Sequence, residues 1–132
     1  MLTGNRSKVD AGKIVIFGAG KIGRSFIGQL FGRSGYKIVF IDVDPFITGL
    51  LNERGCYRVV IKGDEVEEIT INNVRAIHAS DIPDVAEAVS TAGIIAVSVG
   101  KYALEKVLPV IAEGVKKRYY ENPGNPLDLI LA

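Results

Sequence analysis

Three glycines carry the clearest chemical signal in this sequence. Gly18, Gly20 and Gly23 form the pattern GxGxxG between a short apolar run, KIVIF at 13–17, and a segment with helical apolar spacing. In a strand-to-helix turn the first glycine allows the sharp bend, the second lets a pyrophosphate approach the backbone, and the third allows close helix–strand packing. The free amides at the start of the helix would then bind phosphate groups. The other glycines are interpreted as helix and turn punctuation.

A carboxylate follows at the distance that such a site requires. Asp42 stands nineteen residues after Gly23 and directly follows the apolar run KIVFI at 37–41. An acid at the end of the second strand receives the adenosine ribose hydroxyls of a dinucleotide and repels a 2′-phosphate. Since no arginine occurs within residues 43–46, the sequence favours NAD over NADP. The alternative interpretation is an ordinary strand-end aspartate.

Residues around the turn and after a later strand are weaker candidates. Lys21, Arg24 and Ser25 lie in the turn or in the first helical turn, where each could contact a phosphate or simply face solvent. Val99 and Gly100 follow a later buried apolar run, IIAV. Ligands of doubly wound folds bind outside the carboxyl ends of the strands, so this loop is a second candidate contact, although a plain strand-to-helix turn would look the same.

The remaining reactive side chains form no catalytic or metal-binding pattern. His78 has no acid or cysteine beside it in the sequence, and Cys56 is the only cysteine. No nucleophile–base pair is evident, so we predict no catalytic residue and no metal site. The formal net charge is +1, and the one basic cluster, at 116–118, suits a helix C-terminus better than a nucleic-acid surface.

Strand and helix signals alternate along the chain. We predict buried strands at 13–17, 37–41, 74–77, 94–97 and 127–131, helices at 22–34, 45–53, 82–91 and 102–118, and a hairpin formed by 57–61 and 66–71. Asp44, before Pro45, is interpreted as a helix cap, and Pro109 is expected to kink or break the last helix. The alternation predicts an α/β fold, a doubly wound mostly parallel sheet of the Rossmann type with an inserted β-hairpin.

Length and composition indicate one globular domain. The chain has 132 residues with 48% hydrophobic and 23% charged residues, which excludes intrinsic disorder. Residues 1–12 form a polar N-terminal extension without the apolar core of a signal peptide, and residues 13–132 form the dinucleotide-binding domain. No apolar run approaches a membrane span, and a lone cysteine suits a reducing compartment. We therefore expect a cytoplasmic protein without membrane or nucleic-acid partners.

Three segments together resemble a known family. IVIFGAGKIGRSFIGQLF at 14–31, IVFIDVD at 38–44 and VSVGKYALEKVLPVIAEGVKKR at 97–118 are similar to the amino-terminal domain of mannitol-1-phosphate 5-dehydrogenases, within the polyol-specific long-chain mannitol dehydrogenase family. The resemblance covers nearly the whole chain. The sequence departs from the family pattern at Lys21, Ser25 and Lys101, which leaves the individual phosphate contacts open.

The resemblance implies an NAD-dependent oxidoreductase. It implies hydride transfer between NAD and a sugar-alcohol phosphate, of the mannitol 1-phosphate to fructose 6-phosphate type. In the family the catalytic residues lie in a second, largely helical domain, to which nothing here corresponds, so we expect this chain to bind cofactor without turnover. The implied cofactor-binding residues are Phe17, Gly18, Ala19, Gly20, Lys21, Ile22, Gly23, Arg24, Ser25, Asp42, Val43, Val99 and Gly100.

Two other classes of protein remain open at the level of sequence. A stand-alone nucleotide-sensing domain, like those attached to potassium transport systems, has a similar size, a GxGxxG and a later acid. A methyltransferase that uses S-adenosylmethionine also has glycines after its first strand and an acid after its second. The third glycine, Gly23, and the following Arg24 favour a dinucleotide over the methyl donor.

Overall fold

A parallel five-stranded sheet forms the centre of the molecule, and residues 9–132 are those that the computed structural model describes. The strand order is β5-β2-β1-β6-β7, and β3 and β4 form a separate antiparallel hairpin. The strands are β1 (Asp10–Phe17), β2 (Lys37–Asp42), β3 (Cys56–Lys62), β4 (Val66–Asn72), β5 (Val74–His78), β6 (Ala92–Val97) and β7 (Asp128–Leu131). The helices are α1 (π-helical over Gly23–Gly28 and α-helical over Gln29–Arg33), α2 (Pro45–Arg54), α3 (Ile82–Thr91) and α4 (Lys101–Glu121).

The predicted doubly wound fold is confirmed. Every pairing in the large sheet is parallel, with Val15 of β1 opposite Val39 of β2 on one side and Ile95 of β6 on the other. β1 therefore lies at the middle of the sheet, where the direction of winding reverses between β1 and β6. In this fold, ligand-binding crevices open at this reversal, outside the carboxyl ends of the two strands.

The first strand begins earlier than predicted. Asp10 already pairs with Ala92, and its carboxylate accepts a hydrogen bond from the Lys37 ammonium group at 3.1 Å. The side chain of Lys37 holds the pKa of the Asp10 carboxyl below its ordinary value. Residues 10–12 thus belong to the sheet and not to the polar extension, while residues 1–8 of that extension lie outside the described part of the chain.

Alternate residues of the strands supply two separate cores. Ile14 and Ile16 of β1 face the layer that contains α1, α2 and the hairpin. Val15 and Phe17 face the layer that contains α3 and α4. All four side chains are fully buried, as expected for a central parallel strand covered on both faces.

Two glycines of α1 allow the hairpin to pack against the helix. A Cβ atom at Gly28 would overlap the Tyr57 hydroxyl, and one at Gly32 would lie 2.5 Å from Cγ2 of Ile71. The interpretation of these glycines as punctuation is therefore wrong, because only a residue without a side chain leaves room for the hairpin there.

Two expectations for α4 also differ from the structure. The expected break at Pro109 does not occur, because the helix continues through this residue. Pro109 is exposed, so the backbone carbonyl that loses its partner can be hydrated. Arg118 was expected to complement the helix end, but it is only 4% exposed. Its guanidinium donates to the carbonyls of Ser90, Ala92 and Pro126 and so joins α3, β6 and the loop before β7. Burial lowers the pKa of Arg118 from its ordinary value.

Candidate nucleotide-binding site

The turn between β1 and α1 can be built only with glycine at its first position. Gly18 has φ +105°, a backbone conformation that side chains disfavour, and its amide donates to the Ile41 carbonyl at 2.8 Å. A Cβ atom there would also lie 2.6 Å from the Ser98 carbonyl oxygen. The turn is therefore held tightly between the ends of β2 and β6.

The second and third glycines have opposite surroundings. A Cβ atom at Gly23 would overlap the Gly18 carbonyl oxygen, so this glycine brings α1 into contact with the turn. A Cβ atom at Gly20 would meet no described atom within 4 Å. The space over Gly20 is thus open to a ligand, and the geometry at all three positions agrees with the mechanical roles predicted from the sequence.

The start of α1 offers amide groups to this open space. The Arg24 amide donates to the Gly20 carbonyl at 3.0 Å, and no side chain in the described range caps the helix ahead of it. Unpaired first-turn amides and the positive end of the helix dipole together form an anion-binding position. Lys21 and Ser25 are both exposed on this end of the helix.

Asp42 is fixed between the turn and the start of α2. Its Oδ2 accepts from the Ala19 amide at 2.8 Å, and its Oδ1 accepts from the Asp44 amide at 2.9 Å. A carboxylate offers about four lone-pair positions, so both oxygens can still accept hydrogen bonds from a pair of hydroxyl groups. The half-buried side chain is therefore an oriented acceptor beside the glycine turn.

An apolar cleft of about 320 Å³ lies next to Asp42 at the carboxyl ends of the strands. Phe17, Ile41 and Val43 line it from the sheet side, and Ala103, Val107 and Val110 line it from α4. Such a cleft has the chemistry that a planar base requires, because its walls are largely apolar.

His78 closes one wall of this cleft, a role that the sequence did not indicate. Its Nε2 donates to the Val43 carbonyl at 2.9 Å, and its Nδ1 accepts from the Ser80 amide at 3.2 Å. The ring therefore fixes the residue that follows Asp42. Within residues 9–132 the hydrogen bonds of the ring go to Ser80 and Val43 and not to an acid.

The loop after β6 reaches the same edge of the sheet. The Ser98 amide donates to the Phe17 carbonyl at 2.8 Å and its hydroxyl to the Gly18 carbonyl at 3.3 Å, so Ser98 supports the glycine turn. Val99 is half-buried against the turn, and the exposed Gly100 precedes α4 without a capping side chain. The structure thus brings this loop and the turn together.

Arg24, at the start of α1, contacts a second region of the molecule besides the glycine turn. Its side chain lines a second cleft, between α1, α2 and the hairpin, and its backbone carbonyl accepts from the Tyr57 hydroxyl at 2.7 Å. Burial raises the pKa of the Tyr57 hydroxyl. No local pattern indicates this contact, because Arg24 and Tyr57 are 33 residues apart in the sequence.

Residues 9–132 contain neither a metal-binding cluster nor a membrane-spanning helix. No group of three or more His, Cys, Asp or Glu side chains within that range is placed to hold a metal ion. Nor is any helix of that range both long and apolar enough to cross a membrane.

The fold and the site define a dinucleotide-binding Rossmann domain: a doubly wound parallel sheet, a glycine turn after β1 and an acid after β2 hydrogen-bonded to that turn. A family model described as the mannitol dehydrogenase Rossmann domain matches residues 12–132. The chain therefore belongs to the mannitol dehydrogenase family through its Rossmann domain.

Curated relatives agree with this assignment. The chain is 44% identical over 108 residues to a mannitol-1-phosphate 5-dehydrogenase of Geobacillus thermodenitrificans, covering 81% of this chain and 28% of the relative. It is 41% identical to that of Brevibacillus brevis, over 88% of this chain and 30% of the relative. The identity to the Lactococcus lactis enzyme is 39%, over 89% of this chain and 31% of the relative. The chain thus spans less than a third of the length of these relatives.

Membership in this family implies NAD(H) as the cofactor. The hypotheses of a potassium-transport sensor and of a methyltransferase are not favoured. A solved structure of the Shewanella denitrificans Kef CTD in AMP bound form covers 90% of this chain and 56% of that chain, at 16% identity. Its TM-score of 0.47 is too low to support an argument.

Proposed function

We propose that this chain is the cofactor-binding part of an oxidoreductase that transfers a hydride between NAD and a sugar-alcohol phosphate, of the mannitol 1-phosphate to fructose 6-phosphate type. The observation that supports this most directly is the hydrogen bond from the Ala19 amide to the Asp42 carboxylate. It joins a ribose acceptor to a phosphate-binding turn, and a dinucleotide requires both groups in one crevice.

Each part of the crevice suits one part of the cofactor. The open backbone around Gly20 and the start of α1 bind the pyrophosphate, and Asp42 accepts the hydroxyls of the adenosine ribose. The apolar cleft beside Val43 holds the adenine, and Val99 and Gly100 lie along the path to the nicotinamide. The full proposed contact set is Phe17, Gly18, Ala19, Gly20, Lys21, Ile22, Gly23, Arg24, Ser25, Asp42, Val43, Val99 and Gly100.

The residues of this chain bind and orient the cofactor, and the bound nicotinamide supplies the hydride chemistry. The sequence offers no evident nucleophile–base pair, so we propose no catalytic residue in this chain. The proposed role is therefore binding without turnover by these residues alone. The cytoplasm is the proposed compartment, since the one cysteine has no partner for a disulfide.

Titration with NADH, followed by the fluorescence of the nicotinamide, tests the proposal. Because the chain contains no tryptophan, energy transfer from that residue does not complicate the signal. Asp42→Ala removes a charged acceptor and is expected to weaken NADH binding by about 10- to 100-fold. Glu53→Ala, which removes one acid from α2, is the control and should leave the affinity unchanged.

Two results would contradict the proposal. One is a folded chain that binds S-adenosylmethionine but not NADH. The other is robust oxidation of mannitol 1-phosphate by the purified 132-residue chain with NAD, which would show that these residues also hold the catalytic groups.

A further inference from the structure

A second cleft, of about 380 Å³, lies between α1, α2 and the hairpin. We name it the arginine cleft, because Arg24 of α1 and Arg54 of α2 both line it, together with Asp44 and Tyr57. The two arginines come from distant parts of the sequence. Packing of the hairpin against α1 and α2 brings them to one cavity.

The guanidinium groups of Arg24 and Arg54 differ from those of the arginines that have partners in the fold. Arg58 pairs with Glu68, and Arg118 donates to a set of backbone carbonyls. Within residues 9–132, no ion pair or hydrogen bond engages the guanidinium of Arg24 or of Arg54, and Nε of Arg24 is buried without a hydrogen-bond partner. A buried donor without an acceptor is costly, so binding of an anionic group in this cleft would be favourable.

The arginine cleft adjoins the proposed ribose position. Asp42 lies between two clefts, because its neighbour Val43 lines the apolar cleft and Asp44 lines the arginine cleft. With the adenine in the apolar cleft and the 5′-phosphates over Gly20, the ribose hydroxyls at Asp42 face the side on which Asp44 lies. A group attached to the 2′-oxygen would therefore enter the arginine cleft.

This arrangement revises the reason for preferring NAD. The absence of arginine from residues 43–46 suggested that no cation could receive a 2′-phosphate. The fold supplies two cations from elsewhere, and arginine is the side chain best suited to bind phosphate. What opposes a 2′-phosphate is a pair of carboxylates: Asp42 at the proposed ribose position and Asp44, which lines the arginine cleft.

We infer that the arginine cleft is a 2′-phosphate site whose cationic half, Arg24 and Arg54, is already in place and which Asp42 and Asp44 close to NADP(H). The inference rests on the proposed function, since it requires the adenosine ribose to lie at Asp42. Asp44 and Arg54 thereby become determinants of cofactor specificity that the motif around Asp42 does not reveal.

The test compares NADH and NADPH, which differ only by the 2′-phosphate. The double variant Asp42→Asn, Asp44→Asn removes both charges, and asparagine caps a helix as well as aspartate does. We expect its NADPH affinity to rise at least about tenfold, because two like-charge repulsions are removed, and its NADH affinity to fall. If the double variant is unstable, Asp44→Asn alone serves as the test, because it keeps both hydrogen bonds of Asp42. Its gain in NADPH affinity should be smaller than that of the double variant.

A matched pair of arginine variants tests whether the gain in NADPH affinity depends on the arginine cleft. Adding Arg54→Gln to the double variant should abolish the gain in NADPH affinity, whereas Arg33→Gln, which removes the same charge at the far end of α1, should preserve it.

The outcomes separate the two proposals. A folded, unmodified chain that binds no NADH overturns the proposed function and this inference with it. If that chain binds NADH but the Asn variants gain no NADPH affinity, or if Arg54→Gln and Arg33→Gln act alike, the inference alone is wrong.

Discussion

The four helices that follow parallel strands begin in two different ways. α2 and α3 start after aspartates, whose side chains accept hydrogen bonds from first-turn amides: Asp44 from Phe46 at 2.9 Å and Asp81 from Asp84 at 3.4 Å. Within residues 9–132 no side chain caps α1 or α4. The helical backbone that leads into α1 starts at Lys21, directly after Gly20, and α4 starts directly after Gly100. Since all four helices start at the carboxyl edge of the sheet, the contrast lies in the residue type and not in the position.

In α2 and α3, first-turn amides already donate to a side chain of this chain. In α1 and α4, no capping side chain of residues 9–132 accepts from the first-turn amides, so these amides can bind a ligand. An aspartate cap neutralises the helix start and occupies the space above it, while a glycine leaves amides and space free. The two uncapped helices follow β1 and β6, the neighbouring strands between which the winding reverses. The predicted crevice therefore lies where both amide groups and room are available.

The largest expected effect comes from Gly23→Ala. The new Cβ would overlap the Gly18 carbonyl oxygen, which is backbone, so the turn and α1 must separate. We expect NADH binding to be lost and the free energy of unfolding to fall by about 1–3 kcal/mol, as for overpacked sites. Denaturant unfolding and NADH titration measure the two effects. A variant with unchanged stability and affinity would show that close helix–turn packing is not what makes α1 a binding helix.

Gly20→Ala should separate binding from stability. Its Cβ meets no atom of the described chain, and the backbone is not in the left-handed region, so the free energy of unfolding should change by less than about 1 kcal/mol. The methyl group would occupy the approach of the pyrophosphate, and NADH affinity should drop about tenfold or more. The readouts are thermal unfolding and NADH titration on the same sample.

Gly49→Ala is the matched control for this variant. Gly49 also has open space at its Cβ position but lies within α2, away from the crevice. It should keep NADH affinity and gain up to about 1 kcal/mol of stability from helix propensity. If Gly20→Ala binds NADH as Gly49→Ala does, the open space over Gly20 is not where phosphates bind.

Local patterns were sufficient to predict the sheet and the hairpin, and they also supply the residues of the proposed site. Short apolar runs closed by glycine or aspartate define β1 and β2, and the glycine pattern and Asp42 stand at their ends. These features depend on neighbours within a few residues, which is the range over which periodicity and capping act.

Features that depend on distant packing were missed or misread. Arg118 lies in a basic run like any exposed helix end, yet carbonyls of α3, β6 and the loop before β7 surround it. In the sequence, Gly28 and Gly32 resemble weak positions of a helix. In the structure, side chains of the hairpin occupy the space that a Cβ atom at either position would need. The cations Arg24 and Arg54 are thirty residues apart, so no local motif could have joined them.

The smallest expected effect comes from removing the aspartate cap of α3. Asp81→Ala removes the side-chain acceptor at the start of α3 and should lower the free energy of unfolding by about 0.5–1 kcal/mol, because the hydrogen bond to the Asp84 amide is long. Asp81→Asn keeps an acceptor and should recover most of that loss. NADH affinity should remain the same in both, since α3 already satisfies its own first turn. A tenfold weaker NADH affinity in Asp81→Ala would mean that a capped helix also contributes to binding, and the distinction between glycine and aspartate starts would then no longer locate the ligand.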